Sequence, residues 1–179
     1  LAVSFFLFTF DCDSEKWKFS IESFMDDPVF NDHNKDEFPP AHTAEHLLNQ
    51  TMVRMFGCER SSNAHVERKK SKISYVLERK PDRKQEKEIE RIMNQLIEDD
   101  LPVTFEMVDR DNLPDEVDAS RLPEDASQTI RLVRIGDYDV CPCIGKHVRS
   151  TGQIGRFELL GTNWDEHKHL FRVRFKVVP

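Results

Sequence analysis

Residues 39–57 read PPAHTAEHLLNQTMVRMFG. Pro39 and Pro40 suit a first helical turn, where a missing N–H costs nothing, and Gly57 suits the stop. The spacing predicts a helix from about Ala41 to Phe56. At 100° per residue, Ala44, Leu48, Thr51 and Met55 share one face, and His42, His46, Asn49 and Val53 share the opposite one. Two imidazoles therefore lie one turn apart, off the main apolar stripe.

Downstream the period changes. Ala64–Arg68 and Lys72–Leu77 alternate as strands, linked by the basic Lys69-Lys70-Ser71. Asp82, with Gln85 three residues on, opens a second helix whose Ile89, Ile92, Met93, Leu96 and Ile97 keep the i, i+3, i+4, i+7, i+8 pattern. Leu101–Val108 reads as a strand, and Asp109–Gln128, with Pro114 and Pro123, as an acidic loop. Ile130–Ile135, Tyr138–Val140, Arg156–Leu160 and Leu170–Val178 supply further strands. Strands and helices without strict alternation indicate an α+β fold, an antiparallel or mixed sheet packed against two main helices.

The second chemical motif is Cys143-x-x-x-His147. With His42-x-x-x-His46 it assembles one thiolate and three imidazoles, a set whose softness and number suit one tetrahedral zinc ion. His42-Thr43-Ala44-Glu45-His46 also fits the H-x-x-E-H peptidase pattern with Glu45 as general base, but that reading leaves Cys143 and His147 without a role. Cys141 is read as core or as a neighbour of the site, and His167-x-His169 as an exposed turn.

A chain of 179 residues with 38% hydrophobic and 33% charged residues suits one domain with a modest core. No G-x-x-x-x-G-K-[ST] or G-x-G-x-x-G occurs, so no nucleotide cofactor is indicated. The net charge of −7 by itself counts against nucleic-acid binding. It is unevenly spread: residues 92–128 hold 2 Lys/Arg against 11 Asp/Glu, whereas residues 129–179 hold 9 against 5, so a basic face for a phosphate backbone is compatible with the total. Sparse cysteines (Cys12, Cys58, Cys141, Cys143) fit a reducing, cytoplasmic setting better than a disulfide scaffold. Residues 1–10, LAVSFFLFTF, are too short to span a bilayer and lack a basic flank. Residues 1–25 are read as a poorly ordered or wrongly included leader ahead of Met25, with the domain over 26–179.

HTAEHLLNQ at 42–50 resembles the HTAxHLL motif of alanyl-tRNA editing domains, and CPCIGKHVRSTGQIGRF at 141–157 resembles their C-x-G-x-H-V…TGxIGxF motif. The likeness, to the second additional domain of threonyl- and alanyl-tRNA synthetases and of free-standing AlaX-type proteins, runs from about Pro39 to Val178. It implies a zinc-dependent aminoacyl-tRNA deacylase with mischarged tRNA as partner, removing serine or glycine of the alanine type or serine of the threonine type. A derived, inactive zinc module that holds tRNA or protein is the alternative. Lys70, Ser71 and Lys72 stand where the family's pocket strands begin and are candidate substrate contacts. The motif departs from the family at Ile144 and Lys146, which replace Gly and Thr or Pro. Lys146 thereby brings a cation beside the metal as a further substrate-binding candidate. No catalytic residue is assigned.

Overall fold

Helix α1 (Pro39–Phe56) ends at Gly57, whose φ of 63° lets its N–H close onto the Val53 carbonyl. The computed structural model describes residues 38–117, 122 and 126–179, all within one compact unit, Asp32–Pro179. The leader over 1–25 lies outside the described residues. α1 is buried over more of its girth than the two-faced pattern predicts: His46 and Asn49 are buried along with Ala44, Leu48 and Thr51. The predicted polar face is thus an inner wall.

β1 (Asn63–His65) and β2 (Ser71–Val76) pair antiparallel. β1 is shorter than predicted because the Ser71 hydroxyl accepts the Glu67 N–H and donates to the Glu67 carbonyl, making 67–71 a turn. α2 (Arg83–Glu98) starts at a complete capping box: the Asp82 carboxylate accepts from Lys84 and Gln85 N–H, and the Gln85 side chain accepts from Asp82 N–H. Its Ile89, Met93, Leu96 and Ile97 are buried as predicted.

The remaining strands are β3 (Val103–Asp109), β4 (Thr129–Ile135), β5 (Asp139–Pro142), β6 (Arg156–Asp165) and β7 (Leu170–Val178). They form two antiparallel sheets, ordered β1-β2-β7-β6 and β3-β4-β5. β6 runs further than predicted because a bulge between Leu159 and Gly161 lets the ladder continue to Asp165. Phe157, Phe171 and Phe175 are fully buried with α1 and α2 residues in one core, each side chain worth about 1.5–3 kcal/mol of burial. Among the described residues no helix is long and apolar enough to cross a membrane.

The TGQIG stretch is a joint. Thr151, fully buried, donates its hydroxyl to the Leu96 carbonyl and accepts the Leu101 N–H. Its own N–H goes to the Leu101 carbonyl. The end of α2, the start of the second sheet and the segment after His147 are thereby tied at one residue.

Candidate metal centre

The first helical turns of α1 carry His42 and His46, and the loop leaving β5 carries Cys143 and His147. That loop is set by the sheet: Cys143 N–H continues the β4–β5 ladder onto the Arg131 carbonyl, and the Arg131 guanidinium donates to the Cys143 and Gly145 carbonyls at 2.8 and 3.1 Å. Gly145 faces His42 so closely that a Cβ there would overlap the imidazole, 2.8 Å from Nδ1. One ligand atom from each of His42, His46, Cys143 and His147 falls within 4.8 Å of all the others.

Cys143 Sγ stands 3.4 Å from Nε2 of both His42 and His147. Tetrahedral zinc, with bonds of about 2.0–2.1 Å to nitrogen and 2.3 Å to sulfur, separates its ligand atoms by about 3.5 Å. The outward nitrogens are each engaged. His42 Nδ1 meets the Lys146 carbonyl at 3.1 Å, an acceptor only, so Nδ1 carries the proton. The Thr43 hydroxyl spends its hydrogen on the Pro39 carbonyl and accepts the Val148 N–H, so His147 Nδ1, 3.1 Å away, donates to it. His46 Nδ1 lies 3.2 Å from Cys141 Sγ and 3.6 Å from Asp139 Oδ2. Both assigned tautomers, at His42 and His147, leave a bare Nε2 facing the thiol, the form a metal requires.

The same contacts set the electrostatics. Burial opposes ionisation of Cys143, but the neighbouring imidazoles of His147, His42 and His46 outweigh it and bring the thiol down to about 3. Burial lowers His147 to about 4 despite the pull of the thiolate, keeping that ring neutral. Burial also disfavours the His46 cation, yet Cys141 and Asp139 raise that ring well above its ordinary value.

His46, Asp139 and Cys141 form a second close group on the other side of the same ring. Asp139 is nearly inaccessible and paired with Arg60 through both carboxylate oxygens, and Arg60 also reaches Cys141 Sγ at 3.5 Å. Burial pushes the Asp139 carboxyl up, but its contacts with His46 and Arg60 outweigh that and hold it below its usual range. Sequence spacing gives no sign of this pair. Cys141 lies beside His46, behind the candidate ligand set.

The cluster opens on a cavity of about 610 Å³, within the range of small-molecule sites of roughly 300–1,000 Å³. His42, Glu45, His46, Arg54, Tyr138 and Cys143 line it, and so do Glu116, Val117 and Leu122 from the predicted acidic loop. Arg54 lies 4.0 Å above the Tyr138 ring and donates to the Tyr138 carbonyl. The four predicted substrate contacts are not brought together. Lys70 and Lys72 are exposed, Ser71 is buried in the β1–β2 turn, and Lys146 is exposed on the ligand loop; none of them lines the cavity. The His167-x-His169 segment is the exposed β6–β7 turn, with His169 Nδ1 on the Glu78 carbonyl.

The family model of the threonyl and alanyl tRNA synthetase second additional domain matches residues 130–174. The chain is 34% identical over 131 residues to an alanine–tRNA ligase of Halorubrum lacusprofundi, covering 72% of this chain and 14% of the ligase. It is 33% identical over 137 residues to the alanyl-tRNA editing protein AlaX-L of Pyrococcus horikoshii, covering 75% of this chain and 32% of that protein. The likeness thus spans a third or less of these relatives' own length. With its two helices, antiparallel sheets and both motifs in place, the chain carries the second additional domain of the threonyl and alanyl tRNA synthetases, matched over residues 130–174.

Proposed function

We propose that this chain is a zinc-dependent hydrolase that removes a wrongly attached amino acid from tRNA, working in the cytoplasm. The observation that carries the reading is the convergence of three imidazoles and one thiol at the mouth of a cavity, with the outer nitrogens engaged by the protein. This donor set fits zinc, which would be held by His42, His46, Cys143 and His147 and would supply Lewis acidity to an ester in the cavity.

The chain's own residues account for the remaining tasks. Glu45, on the ligand helix and on the cavity wall, is the carboxylate we assign to proton acceptance from the attacking water. Asp139 is unsuited to that role because Arg60 and His46 already hold it. The Arg54–Tyr138 stack offers a flat, cationic surface for the terminal adenine. The printed names of the relatives favour the alanine type, with serine or glycine as the amino acid removed; serine of the threonine type is the other candidate.

Ile144, half exposed on the ligand loop, and its neighbour Lys146 support a second reading, an inactive zinc module that holds tRNA or protein. Incubation of the zinc-loaded chain with seryl-, glycyl- and alanyl-tRNA separates the two. Loss of a noncognate ester with alanyl-tRNA spared is expected for the deacylase. Intact esters throughout, with zinc bound, would favour the module.

A further inference from the structure

We propose that the solvent face of the β1-β2-β7-β6 sheet binds the phosphate backbone of RNA; this rests on tRNA being the partner. In β7 the side chains alternate strictly, with Phe171, Val173, Phe175 and Val177 buried and Arg172, Arg174 and Lys176 on the other face. Register puts Lys72 of β2 directly opposite Arg174, and Arg172 opposite Ser74 on one side and Asn163 on the other. Like charges facing each other across a ladder are destabilising, so the arrangement needs a compensating anion.

None is supplied at this spot among the described residues. The acids of this face and its rim are committed elsewhere: Glu158 pairs with Lys176, Glu67 pairs with His65, and Asp165 accepts the His167 and Lys168 N–H groups. Among the described residues, Lys72, Arg172 and Arg174 have no ion pair, and Arg172 Nε is buried without a hydrogen-bond partner. Gly161 lies opposite Arg174, and a Cβ there would come within 3.4 Å of its Nη2, so the guanidinium rests low across the sheet and the face stays open. In a chain of net charge −7, three unneutralised cations on one sheet face select a polyanion with regularly spaced charges.

The test is the salt dependence of tRNA binding, read by fluorescence anisotropy with uncharged tRNA and the full chain. Lys72→Gln/Arg172→Gln/Arg174→Gln is compared with Arg83→Gln/Lys84→Gln/Lys87→Gln, which removes equal charge from exposed positions of α2. Each lost phosphate contact should lower the slope of log K against log salt by about 0.7–0.9. The sheet variant is therefore expected to lose about 2–3 from the slope and to raise KM for deacylation at unchanged kcat and zinc content, with the α2 variant close to wild type. Lys72→Gln/Arg174→Gln, both exposed, carries the test with a loss of about 1.4–1.8 if the Arg172 change unfolds the chain. Equal slopes in an active enzyme, or equal losses in both triple variants, would overturn the interface and leave the deacylase reading standing. A zinc-loaded wild type that neither binds nor deacylates tRNA would overturn both.

Discussion

The Thr43 hydroxyl and His147 Nδ1, 104 residues apart in the chain, meet at 3.1 Å, and the same hydroxyl receives the Val148 N–H. A residue of α1 thereby orients a candidate ligand on the loop that leaves β5. The two halves of the centre are built as one unit.

Thr43→Val keeps the shape and removes the acceptor. Metal affinity is expected to fall about 10–100-fold, the usual cost of losing a contact that orients a ligand. Competition against a chromophoric chelator measures it; unchanged affinity would mean that Thr43 does not set the His147 tautomer.

Gly145→Ala pushes a methyl group into the His42 ring. The ring or the loop must move, so the variant should lose zinc and about 1–3 kcal/mol of stability. Metal analysis with thermal melts decides; a fully loaded variant of wild-type stability would contradict the loop geometry.

Arg60→Gln strands the Asp139 carboxylate, which is almost wholly buried. Removing one partner of a buried pair costs about 3–5 kcal/mol, less here because Arg60 keeps some solvent contact. Arg60→Gln/Asp139→Asn should recover part of the loss in a denaturant titration. Strict additivity of the two changes would argue against a coupled pair.

Thr151→Val separates the two parts of the second motif. It leaves the Leu101 N–H and the Leu96 carbonyl without their buried partner, at a cost of about 1–3 kcal/mol per stranded group. Stability should fall while one zinc per folded chain is retained. Loss of zinc from the folded variant would show that the joint also shapes the centre.

The parts legible in the sequence are those set by neighbours in the chain. The i, i+4 histidines, Gly57 as the stop of α1 and the Asp82–Gln85 box depend on local geometry, and each stands where the spacing predicts. The sheet face of β7 is equally legible from its strict alternation. What supports the ligands is not. Thr43 reads as one more helix residue, Arg60 and Asp139 are 79 residues apart, and Arg131 grips a loop twelve residues on. β1 ends early because of a side-chain bond at Ser71, which strand propensity does not encode. His46 is buried against Cys141 and Asp139 of β5, and Asn49 accepts the Ser61 N–H, tertiary contacts that helical phase alone treats as solvent.

Zinc-edge X-ray absorption on the purified chain and on its Cys141→Ser variant tests the central claim most directly. The predicted first shell is one sulfur at about 2.3 Å and three nitrogens at about 2.0–2.1 Å, with one zinc per chain and the same sulfur count in the variant. Two sulfurs, a shell that changes when Cys141 is replaced, or no stoichiometric zinc would contradict a centre made of His42, His46, Cys143 and His147.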